Sequence, residues 1–165
     1  MSQTTVSLDN ALAVPGQIAD VLGPRDVVTA VAYEDIPAGR IVALRSDGTV
    51  ELPDDDSANL YGVALYQDTL EASLPVGDPT HKAGRPLPIM RMGKVWLSFS
   101  GGDKTKDGVA NIHNDDADST ALAKRGMVTG SATSSNSIRA GTGLVEFEHT
   151  RGGSTLACVK VNFGL

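Results

Sequence analysis

Between two short apolar runs the chain carries Asp47-Gly48, the pair best suited to a two-residue hairpin turn in which both central residues take positive φ. Arg40–Arg45 before it has the length and apolar content of a strand, and Thr49-Val50-Glu51-Leu52 after it alternates polar and apolar until Pro53 stops it. The neighbourhood extends the pattern. Ile36-Pro37-Ala38-Gly39 suits a turn, since Pro fixes φ and Gly accepts positive φ, and Gly62–Tyr66 brings back a third apolar run. The stretch from Tyr33 to Tyr66 therefore reads as a meander, and nothing in it resembles a catalytic motif.

The remaining segments repeat this grammar. Asp26–Ala32 is rich in β-branched residues, and Leu87–Phe99 alternates Val95, Leu97 and Phe99 against Trp96 and Ser98, with Gly93 marking a bulge or bend. Gly143–His149 and Thr155–Phe163 flank Gly152-Gly153 as a closing hairpin. Gly108–Ile112 suits a brief strand, while Ala121–Val128 fits a strand or one helical turn. Two polar stretches, Gln67–Pro86 and Asp103–Asn136, read as long loops. Eighteen Gly and eight Pro in 165 residues favour turns over long helices. About eight short strands with turn signals between them predict an all-β fold, a compact β-barrel or jelly-roll-like domain. Residues 1–23 lack a sustained period and carry Pro15-Gly16 and Gly23-Pro24. They are expected to form an extended N-terminal arm on a single all-β domain spanning 24–165, packed on that domain or on a neighbour.

Composition excludes several functions. A net charge of −6 disfavours a nucleic-acid partner, and no aromatic residues interleave with Lys or Arg to form a stacking platform. One Cys gives neither an internal disulfide nor a paired zinc ligand. No run reaches the length of a membrane span, and the first residues lack the basic and apolar regions of a signal peptide, so a soluble chain made in the cytoplasm is expected. Asp54-Asp55-Asp56 with Asn59 lacks the glycine and closing glutamate of an EF-hand loop. The cluster Asn111, His113, Asn114, Asp115, Asp116, Asp118 has no HxH or HExxH companion and reads as a surface loop. Cys158 sits between Ala157 and Val159 as a small hydrophobe, no Ser lies in a GxSxG elbow, and Gly101-Gly102-Asp103-Lys104-Thr105 lacks the spacing of a phosphate loop. No catalytic residue, metal site or cofactor is expected.

The order of several pieces is similar to bacteriophage structural cement, or capsid decoration, proteins. They are Val14–Asp20, Gly23–Val28, Ile36–Val42, Gly62–Tyr66 and Met90–Leu97, the last with its basic-Gly-basic bend before a Trp-containing strand. The stretch from Asp103 to Asn136 departs from that pattern. The resemblance implies a non-enzymatic protein on the outer capsid surface that binds the major capsid protein and itself, as a dimer or trimer. The residues it points to as contacts are Val14, Pro15, Gly16, Ile18, Arg25 and Trp96. Another virion component, such as a tail-tube or head-completion protein, and a carbohydrate-binding β-sandwich are the rival readings.

Overall fold

A computed structural model describes residues 13–54, 59–67, 79–102, 107–114, 124–130, 137–139, 143–148 and 155–164. Among them are twelve strands: β1 (Asp26–Val31), β2 (Ile36–Pro37), β3 (Ile41–Leu44), β4 (Val50–Glu51), β5 (Leu60–Ala64), β6 (Thr80–His81), β7 (Pro86–Ser98), β8 (Asn111–His113), β9 (Val128–Thr129), β10 (Ser137–Arg139), β11 (Val145–Phe147) and β12 (Leu156–Asn162). Seven of them form the main sheet, in the order β11-β12-β7-β5-β3-β4 with β1 also paired to β7. β10-β8-β9 form a second sheet and β2-β6 a third.

β7 is the spine. One of its edges carries β1 along Pro86–Met92 and then β12 along Met92–Ser98, while β5 pairs with Ile89 and Met90. The exchange of partners falls at Gly93, whose φ of 140° a side chain rarely adopts; a Cβ there would meet Met90 Sδ at 3.0 Å. Pro88 is tolerated inside so central a strand because its carbonyl accepts from Leu65 N–H (2.9 Å) on the β5 side. Its missing donor therefore falls on the same side, where the β5 ladder is only two residues long.

Alternation along the strands divides the apolar residues between two faces. Ile41, Val63, Val95, Leu97, Val145, Phe147, Val159 and Val161 share one cluster, covered by Ala110, Ile112 and Val128. Val42, Val50, Ala64, Leu87 and Ile89 share the other. Phe147, 2 % exposed, meets Phe99 edge to face with ring centroids 6.0 Å apart. Burying a side chain of that size is worth roughly 2–3 kcal/mol.

All-β character is as expected, but the barrel or jelly roll is not. β4 and β11 end the path of the main sheet without pairing to each other. β1 reaches β4 through a single parallel bridge, Ala32 to Val50, rather than a ladder. A two-residue β4 is too short to close a cylinder, and the other strands divide between two small separate sheets instead of one facing layer. Local readings shift as well. The Asp47-Gly48 hairpin forms, yet only Gly48 of the pair has positive φ (83°). Arg45 and Thr49 close a longer turn instead, capped by Asp47 Oδ1 accepting from Thr49 N–H at 2.9 Å. Ile36-Pro37, read as a turn, pairs with Thr80-His81 from the supposed Gln67–Pro86 loop. Within the polar Asp103–Asn136 stretch, the brief strand expected at Gly108–Ile112 forms as β8, ending one residue later, Val128 of the Ala121–Val128 stretch opens β9, and Ala110, Ile112 and Val128 are core residues.

Candidate contact surface

Five of the six predicted contact residues converge. Gly16 donates to the Trp96 carbonyl (2.7 Å), Trp96 N–H returns to the Gln17 carbonyl (2.9 Å), and Ala19 donates to Lys94 (2.9 Å). Ile18 bridges Val95. Residues 16–19 thus continue the edge of β7 beyond β5. Val14 and Pro15 lead into this pairing through a turn closed by Gln17 N–H to the Val14 carbonyl (3.1 Å). Gly16 is buried, with φ 81°, and a Cβ there would lie 2.6 Å from Tyr66 N and 2.9 Å from Gly39 N. Across from it, a Cβ on Gly39 would meet Pro15 Cβ at 2.5 Å. The two Pro-and-Gly segments, 15–16 and 37–39, therefore cross at backbone contact, which only glycine permits.

Arg25 stands apart from these five. It is exposed, and its guanidinium donates to the Val21 carbonyl at 3.0 Å. That bond helps to hold a turn in which Asp20 Oδ1 accepts from Leu22 N–H (3.1 Å) and Gly23 N–H (2.9 Å). The turn carries the most exposed large apolar side chains of the described residues, Leu22 at 95 % and Val21 at 63 %. Beside it lies a groove of about 270 Å³, lined among others by Asp20, Pro24, Met92, Lys94, Lys160 and Val161. The available sequence signal for this surface was the apolar pair Val21-Leu22 set between a capping Asp and the Gly23-Pro24 breaker.

Lys94 and Lys160 are directly opposite on β7 and β12. Lys94 donates to Glu148 Oε1 at 2.7 Å, which raises the pKa of its ammonium. Elsewhere the polar groups serve the fold. Cys158 is buried, and desolvation pushes its thiol up to about 11. His81 is buried with Nε2 2.8 Å from the Leu65 carbonyl, and desolvation lowers its pKa. His113 Nε2 lies 2.6 Å from Ser100 Oγ. Asn111 and Asn114, counted above in a surface loop, are buried. Asp55, Asp56, Asp115, Asp116, Asp118 and Lys104-Thr105 lie outside the described residues. Among the described residues no three His, Cys, Asp or Glu side chains come together as a metal site. Among the described residues no helix is long and apolar enough to cross a membrane.

Residues 2–162 match the family model described as "Structural cement protein (E217 gp24/Pam3 gp6)". The match includes the stretch from Asp103 to Asn136 that had departed from the pattern. Among solved structures, the fold is similar to a chain of "The capsid of Myoviridae Phage XM1", with a TM-score of 0.71 at 17% identity. That alignment covers 97% of this chain and 100% of the other. A weaker likeness, TM-score 0.40 at 12% identity over 85% of this chain and 96% of the other, is to "The crystal structure of head fiber gp8.5 N base in bacteriophage phi29". Among curated proteins, none matches.

Proposed function

The chain belongs to the phage structural cement protein family, and from that premise we propose that it binds the major capsid protein on the outer surface of the head and associates with copies of itself there. As a family member it is a capsid-associated structural protein that stabilises the shell, not an enzyme. The observation that carries the reading is the family match running from residue 2 to residue 162, through every sheet described above.

Three features support the finer proposal. Gln17 and Ala19 of the leading segment stay exposed while their backbone is bonded to β7, so that edge is open to a neighbouring subunit. Arg25 lies on an exposed turn whose apolar side chains face outward. Repetition over a lattice raises effective concentration, so weak single contacts sum to firm attachment.

The test is reconstitution. Heads prepared without the protein are mixed with purified chain and imaged by cryo-electron microscopy, and their resistance to heat is compared with undecorated heads. External density that touches major capsid subunits, together with a raised disruption temperature, is the expected result. Density confined to the tail or neck would transfer the protein to another virion role.

A further inference from the structure

The turn at residues 20–25 and the groove beside it have a geometry that the family match does not account for. Leu22 projects at 95 % exposure from a turn fixed by three hydrogen bonds, so its exposure is imposed by the backbone rather than by slack chain. The groove is lined by Asp20, Gly23 and Pro24, the residues flanking that leucine, and by Met92 and Val161 from the sheet. Knob and groove therefore share one continuous patch. A two-fold contact requires this, because the same surface must supply both halves.

We propose that two copies of this chain pair about a two-fold axis, each seating Leu22 in the groove of the other between Pro24, Met92 and Val161. The proposal rests on the self-association put forward above and names its surface. Charge supports a second copy as the occupant. Lys94 and Lys160 face each other across β7 and β12, an unfavourable like-charge pair when left alone. Lys94 is balanced by Glu148 and, across the groove, by Asp20 of its own copy, whereas Lys160 is exposed at the groove wall. An incoming copy carries Asp20 two residues before its Leu22 and brings that carboxylate towards Lys160. An apolar anchor in a pocket with an opposite-charge pair at the rim is the arrangement that concentrates binding energy in a few residues.

The experiment is sedimentation velocity on the full chain over a concentration series, with head attachment measured in parallel by co-sedimentation. Leu22→Asp should weaken self-association at least about tenfold without lowering the melting temperature, since the side chain touches little in its own copy. Asn162 also lines the groove, and Asn162→Trp, which fills it, should do the same. Mixing the two variants should give a heterodimer tighter than either variant alone and weaker than the wild-type dimer, because one of the two seats, Leu22 of the second in the open groove of the first, is intact. Dimers that survive Leu22→Asp, or a mixture that stays monomeric, would overturn the knob-and-groove contact while leaving self-association and cementing standing. A wild-type chain that is monomeric throughout yet still binds heads would overturn self-association together with this contact, but not cementing. Loss of head binding alone on Leu22→Asp would reassign the knob to the capsid subunit.

Discussion

Gly16 and Gly48 have nearly the same φ, 81° and 83°, in different surroundings. Around Gly48 there is open space, so Gly48→Ala carries only the conformational cost of a left-handed residue, about 1 kcal/mol. At Gly16 the new methyl would also press on the backbone of Tyr66 and Gly39, which cannot swing aside. Gly16→Ala should cost about 3 kcal/mol or more, and urea denaturation of the two variants should reproduce that order. Cys158 offers a second test at this scale. Burial holds its thiol neutral to about pH 11, against 9.0 for the free side chain. Between those values the unfolded chain has lost a proton that the folded chain keeps, so stability falls as pH rises above 9.0. Cys158→Ala should flatten that alkaline slope in thermal melts, and the native thiol should resist alkylation at neutral pH until the chain is unfolded.

The pairing of β2 with β6 is one short ladder, and His81 is its buried member. Desolvation lowers its pKa below 6.5, with the Leu65 carbonyl opposing the shift in part. The unfolded chain therefore takes up a proton first as pH falls below 6.5, and the stability that depends on neutral His81 is lost in that direction. His81→Gln keeps a donor for the Leu65 carbonyl without titrating. The difference between wild type and variant in melting temperature should therefore change with pH below 6.5 and stay constant above it; a constant difference throughout would remove His81 as the cause. The neighbouring edge of β7 shows how an element can be borrowed from outside the strand pattern. Residues 16–19 have no alternation that marks a strand, yet they bond to Lys94 and Trp96 because β5 leaves that part of the edge open.

For the whole molecule, the bonds of residues 16–19 tie the leading segment to β7, and truncation tests the proposed arm role of what precedes them. Removing residues 1–12 should weaken attachment to heads while changing the melting temperature little. Removing residues 1–23 also strips the bonds of Gly16, Gln17 and Ala19, and the glycine crossing with Gly39, so both quantities should fall. Calorimetry beside co-sedimentation with heads separates the two. Equal losses from the shorter deletion would make the first twelve residues part of the folded body. The proposed pairing through Leu22 lies on the turn that joins the bonded segment to β1, so a lattice contact there would be braced by β7 itself.

Several things were legible in the residues alone. Alternation in Leu87–Phe99 placed Val95 and Leu97 inward, and Gly93 was marked as the bend. No nucleophile elbow, paired cysteine or ligand spacing pointed to an enzyme, in keeping with the structural family the chain belongs to. The order of pieces pointed to the cement family. Periodicity is a property of one strand, and it fixes which way each side chain points. Which edges meet is decided by contacts between segments far apart in the chain, and there the tertiary structure had the final say. It left the sheet open where a barrel was expected, paired Ile36-Pro37 with Thr80-His81, placed Ala110, Ile112 and Val128 in the core, and bonded Gly16 to Trp96 across eighty residues. It also brought Leu22 beside a groove built by β7 and β12. No local propensity encodes such meetings, because their energy comes from partners that the chain supplies only after it has folded.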